Sequence, residues 1–188
     1  MTPIFVLLAG PNGSGKSTIS RTLDFKSYGF SVINPDDIAK EAPVDVNALI
    51  WAGREVHLRI ERSIKEKMSF VVETTLSGNN HFKTIAACKE AGMLIVMHFV
   101  FVSSVTASKG RVRTRVGMGG HDVPEADQER RFERSLANAV KVVPVVDEAY
   151  FYDNSSREGH QLVAHFLNGQ IEFFSEAAPD WLKAAIRN

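Results

Sequence analysis

The stretch AGPNGSGKST (residues 9–18) follows the apolar run PIFVLL and carries glycines, a lysine and hydroxyls at phosphate-holding spacing. Residues 10–17 match G-x-x-x-x-G-K-[ST] in a strand–loop–helix setting. In such a loop, successive backbone N–H groups point into one concavity and the following helix adds its positive end. The expected nucleotide contacts are Gly10, Pro11, Asn12, Gly13, Ser14, Gly15, Lys16, Ser17 and Thr18. Lys16 is expected on the β- and γ-phosphates and the Ser17 hydroxyl on Mg²⁺.

Holding a phosphate is common to motors, switches and kinases, so the other polar clusters must discriminate. Asp36 and Asp37 in NPDDIAKE follow a short strand pattern. Asp36, nearer the strand end, suits a general base for an acceptor hydroxyl or a water-mediated magnesium ligand. Helix capping by an Asp after Asn-Pro is the competing structural role. In FVVETTLSG, Glu73 and Thr75 offer a carboxylate and a hydroxyl for a polar substrate or a magnesium-bound water.

A basic stretch, KGRVRTRVGMGGHDVPEADQERRFERS, gathers Arg111, Arg113, Arg115, Arg130, Arg131 and Arg134 around Gly117, Gly119 and Gly120. Arginine forks can follow the charge that spreads over a transferring phosphoryl group, and the glycines would hinge such a lid. A solvated basic helix paired with Glu125, Glu129 and Glu133 is the alternative for any single arginine. His121 would cap the lid or touch substrate, and Asn154 falls where a loop would underlie the base.

Taken in order, AGPNGSGKST, INPDDIAKE, AGRE, FVVETTLSG, RVRTRVGMGGHDVP, RRFERSLAN and YDNS resemble the zeta-toxin-like P-loop kinases. The resemblance runs to about Ser155 and is looser beyond. It implies transfer of a phosphoryl group from ATP or GTP, with Mg²⁺, to a hydroxyl of a small molecule such as UDP-N-acetylglucosamine. It also implies Asp36 as the base, Glu73 in the substrate pocket, and Arg115 with one of Arg130 or Arg131 as lid arginines. Arg54, in AGRE, becomes a substrate contact beside Thr75, Arg111 and His121, and an antitoxin protein becomes a candidate partner. Zeta toxins are generally longer and carry further polar pocket residues where LSGNNHF stands here, so the chemistry transfers better than the acceptor. The competing function is a regulatory P-loop ATPase or nucleotide switch that binds a protein or nucleic-acid partner. An N-K-x-D guanine motif is lacking, and TLSGNN lacks the Gly-Gln of a transporter signature.

These residues need a frame. Strand patterns at IFVLLA, SVIN, SFVVE, Met93–Val102 and AYFYD alternate with helical patterns near 16–23, 45–68, 79–91, 104–116 and from 125. Alternation of this kind predicts an α/β P-loop NTPase three-layer sandwich, nucleotide-kinase-like, around a five-stranded parallel sheet. Asn168-Gly169 between QLVAHF and QIEFF predicts a terminal β-hairpin, followed by a short helix. The expected organisation is a single P-loop kinase-like domain over 1–188, with a lid at about 109–135 and a hairpin appendage at about 160–188.

The chain has 188 residues with 22 Lys+Arg against 22 Asp+Glu, so its overall field gives no reason to expect nucleic acid. One cysteine, Cys88, excludes an internal disulfide. MLIVMHFVFV is too short to span a bilayer, and the first residues lack a basic segment of the signal type. A cytoplasmic protein without membrane association is the expectation.

Overall fold

A computed structural model describes residues 2–117 and 124–185, and of Arg115 the backbone only. Seven strands form one sheet in the order β2-β3-β1-β4-β5-β6-β7. The strands are β1 (Ile4–Ala9), β2 (Ser31–Ile33), β3 (Phe70–Thr74), β4 (Leu94–Phe101), β5 (Glu148–Asp153), β6 (Gln161–Leu167) and β7 (Gln170–Phe174). The first five pair in parallel, and β6 and β7 pair antiparallel. The expected five-stranded parallel sheet is therefore the larger part of a mixed one. The hairpin does not hang apart as an appendage; β6 pairs along β5 and extends the same sheet.

Helices α1 (Lys16–Thr22), α2 (Pro35–Lys40), α3 (Ala48–Lys65), α4 (Asn80–Glu90), α5 (Val105–Gly117), α6 (Glu125–Val142) and α7 (Asp180–Ala185) connect or flank the strands. Alternate residues of β1 serve two cores, as the two-residue strand period requires. Phe5 and Leu7 pack with Phe70, Ile95, Phe99 and Phe151, and residues of α3, α4, α6 and α7 cover that face. Val6 and Leu8 face the other way, onto Ile19 of α1 and Phe25 just after it. β1 is apolar throughout because it is buried on both faces.

Parallel register brings the functional loops to one edge. Leu8 pairs with Glu73 and Ala9 with Thr74, so β3 ends level with the start of the glycine loop. Ile33 pairs with Val72, which sets Asn34 beside Glu73. Loops leaving the carboxyl ends of parallel strands form the ligand crevice in such sheets. Among the described residues, no helix is long and apolar enough to cross a membrane.

Candidate active site

The glycine loop follows from its backbone conformation. Gly10 has φ +145°, and a Cβ there would overlap the Val100 carbonyl oxygen. Gly15 has φ +102°, and a Cβ would overlap the Asn154 amide nitrogen. Only glycine meets both demands, a left-handed backbone and close approach. Gly15 also caps α1, so the loop passes directly into a helix N-terminus.

Lys16 is buried, and its Nζ donates to Gly10 O (2.8 Å) and Pro11 O (3.0 Å). Its ammonium thus closes the loop on itself, a structural contact beyond phosphate neutralisation. Ser17 Oγ donates to Glu73 Oε1 at 3.2 Å. Asn34 Nδ2 donates to Glu73 Oε2 at 3.0 Å, so both carboxylate oxygens are held. Burial raises the Glu73 pKa above the usual glutamate range. Lys16 and the Ser17 bond oppose that shift, while Asp36 and Asp37 add to it.

Asn34 is also the N-cap of α2: its Oδ1 accepts the Asp36 N–H at 2.9 Å, with Pro35 in the first turn. Capping thus falls to Asn34, and Asp36 and Asp37 are first-turn carboxylates, as the helix dipole favours. Asp37 forms an exposed ion pair with Lys40 and lines a neighbouring cavity with Ser17 and Glu73. Asp36 stays in the crevice.

That crevice is a cavity of about 340 Å³ lined by Asn12, Lys16, Asn34, Asp36, Glu73 and Thr75, together with Pro35, Leu49, Thr74 and Arg131. A cation, two carboxylates and hydroxyls therefore border one space beside the glycine loop. Thr75 Oγ1 shares a hydrogen bond with Ser77 Oγ. A second cavity, of about 390 Å³, begins at Ser17, Asn34 and Glu73 and reaches Arg21 and Lys26.

The arginines separate. Arg131 lines the cleft and lies 3.8 Å from Asp127, whereas Arg130 is an exposed partner of Asp127 at 2.6 Å. Arg111 donates to Asn154 O at 2.6 Å, which places it behind the glycine loop rather than in the cleft lining. Arg113 pairs with Glu125, and Lys109 with Glu125 and Glu129, tying α5 to α6. The Arg115 side chain and His121 lie outside the described residues.

One further expectation, Arg54, lies away from the cleft, lining a groove between α3 and α4 with Ile50, His57 and Lys83. Leu49 is the α3 residue that reaches the cleft; Arg54, five residues on, sits roughly 140° around the helix. Asn154 turns its amide to the loop, donating to Ser14 O at 2.8 Å. Thr18 is exposed on α1.

Sequence reasoning missed Asn34, although Asn-Pro before a helix is a capping signal. It also missed Ser108, His160 and Asn138. Asn138 Nδ2 donates to Leu76 O (2.8 Å) and Gly78 O (3.1 Å), anchoring the loop after β3. Buried Leu76 sits there at φ +59°, an uncommon conformation for a side-chain-bearing residue.

Comparison with known proteins agrees with this geometry. A family model described as AAA domain matches residues 5–139. An uncharacterized protein of Haemophilus influenzae is 32% identical over 122 residues, 64% of this chain and 86% of that protein. A solved structure from the PezAT chromosomal toxin–antitoxin system of Streptococcus pneumoniae superposes with TM-score 0.67 and 16% identity. It covers 99% of this chain and 85% of that one. The AvrRxo1-ORF1:-ORF2 structure with ATP gives TM-score 0.68 and 16% identity over 98% of this chain and 64% of that one. At those identities the likeness is one of fold, an α/β P-loop fold with a mixed central sheet flanked by helices.

Proposed function

The chain belongs to the AAA domain family, and on that premise we propose that it is a P-loop phosphotransferase. It moves the γ-phosphoryl group of ATP or GTP to a hydroxyl of a small molecule. The observation that carries this reading is the shared cleft of Lys16, Asp36 and Glu73. A motor or switch needs the phosphate loop, a carboxylate that orders the metal and a group that orients the attacking water, but no pocket for an organic acceptor. Transfer to an organic hydroxyl also needs a base facing that loop and room for the acceptor.

The loop amides and the Lys16 ammonium hold the β- and γ-phosphates. Ser17 Oγ and the Glu73 carboxylate, 3.2 Å apart, are hard oxygen donors of the type Mg²⁺ takes. Ser17 would bind the ion directly, and Glu73 would order it through water. When bound, Mg²⁺ neutralises phosphate charge. The acceptor lies between Asp36, Thr75 and Leu49, its hydroxyl aimed at the γ-phosphorus. Asp36 takes the hydroxyl proton as the new O–P bond forms and the bond to the β-phosphate oxygen breaks. ADP or GDP leaves with the displaced charge, and Arg131 follows the equatorial oxygens from α6. Residues 109–135 act as the lid over this step, with Arg115 and His121 as its further candidate contacts.

UDP-N-acetylglucosamine is the first acceptor to test. An antitoxin-like protein is the first partner, given that a solved neighbour comes from a toxin–antitoxin system. The test is acceptor-stimulated ADP release with Mg²⁺ and a panel of hydroxylated metabolites including that nucleotide sugar. We expect stimulation by a panel member, and loss of about 10²–10⁴-fold in kcat for Asp36→Asn. Basal hydrolysis that no acceptor stimulates and that Asp36→Asn leaves intact argues instead for a regulatory ATPase.

A further inference from the structure

Three carbonyls of the glycine loop are held by side chains from distant elements. Ser108 Oγ, on α5, donates to Asn12 O at 2.5 Å. Asn154 Nδ2, just past β5, donates to Ser14 O at 2.8 Å. His160, just before β6, places Nε2 at 3.1 Å from Gly15 O. A carbonyl only accepts, so the His160 ring carries its proton on Nε2 in this contact.

A trans peptide is planar, with its N–H antiparallel to its C=O. Among the described residues there are no cis peptide bonds. Fixing the carbonyls of Asn12, Ser14 and Gly15 therefore fixes the N–H groups of Gly13, Gly15 and Lys16 in the opposite sense. The three partners stand behind the loop, and none of them lines the cleft. Arg111, on the same helix as Ser108, holds Asn154 O at 2.6 Å, so the set is linked within itself. Gly15 O also closes the first turn of α1 with Thr18 N and Ile19 N. The imidazole thus acts on the peptide where loop becomes helix.

We propose that Ser108, Asn154 and His160 are positioning residues for the nucleotide phosphates, acting through the loop carbonyls they hold. The inference rests on the reading of this loop as a nucleotide site. It adds two residues, Ser108 and His160, that touch no phosphate themselves.

Phosphate contacts to loop amides exist before and during transfer, so their misalignment weakens nucleotide binding itself. The experiment is calorimetric titration of the full chain with ADP and magnesium chloride, alongside thermal melting without nucleotide. His160→Ala and Ser108→Ala should each weaken ADP binding about tenfold, the net worth of one hydrogen bond. His160→Gln, whose side-chain amide restores an N–H donor, should recover most of the loss. Melting of the nucleotide-free chain should move far less than ADP affinity does. Ser108→Ala removes a single hydroxyl, so it keeps the test open if the imidazole deletion unfolds the chain.

ADP affinities within about twofold of wild type for both alanine variants overturn the clamp, and so does a His160→Gln variant as weak as His160→Ala. In both cases the nucleotide reading stands. A wild-type chain that binds no ADP overturns the two together.

Discussion

Glu73 concentrates the conflict that a catalytic cleft requires. Burial raises its pKa, and the nearby Asp36 and Asp37 push the same way, so its charge is held at a cost to folding. The unfolded chain releases this proton at the ordinary glutamate pKa, while the folded chain keeps it to higher pH. Between those two values the native state binds more protons, so stability declines as pH rises through the window. Glu73→Gln should therefore melt higher than wild type above the raised pKa, with the difference vanishing below the ordinary glutamate range. The same variant should lose phosphoryl transfer, since the amide cannot order a magnesium-bound water as a carboxylate does. Melting curves across acid to neutral pH, with activity at neutral pH, check this. A variant that melts lower at neutral pH would show that the Ser17 and Asn34 bonds outweigh the desolvation. Asp36 and Glu73 stand out in the chain because one lies three residues past β2 and the other is the next-to-last residue of β3, at the carboxyl end of a parallel sheet. Asn34 was legible in principle, as Asn before Pro.

At the level of elements, chain-distant contacts hold the cleft walls. Asn138 of α6 reaches 62 residues back to Leu76 O, His160 reaches 145 back to Gly15 O, and Ser108 96 back to Asn12 O. Periodicity and local motifs carry no trace of such pairs, because the polar side chain and its carbonyl meet only after the sheet has assembled. The hairpin shows the same division. Its turn was legible in Asn168-Gly169, which adopt φ +49° and +77°, as a tight two-residue turn requires. Its pairing to β5 was not, since an antiparallel neighbour for the last parallel strand depends on which edge stays open. Arg54 illustrates the helical case: AGRE marks a helix but not which face of α3 meets the cleft. Asn138→Ala should cost about 1–3 kcal/mol, because the buried Leu76 carbonyl loses its donor. That amounts to a fall of several degrees in melting temperature for a chain of this size. Acceptor KM should rise through displacement of Thr75, while ADP affinity stays at the wild-type value. A parallel loss of ADP affinity would mean that the two walls are not independently held.

For the whole molecule, a seven-stranded sheet gives the rigid edge, and α6 is built into the core that covers one of its faces. Lys109, Arg113, Glu125 and Glu129 tie α5 and α6 together. The order of strands and helices was legible from alternation of apolar patterns; the cleft was not, because its walls come from α1, α2, α3, α6, β3 and the loops between them. The central claim is transfer of phosphate to an organic hydroxyl under Asp36. The most direct measurement follows γ-labelled ATP incubated with the chain, magnesium and a small-molecule extract. Label is expected in an organic phosphate ester, absent with Asp36→Asn. Label confined to inorganic phosphate, released equally by both proteins, would contradict it.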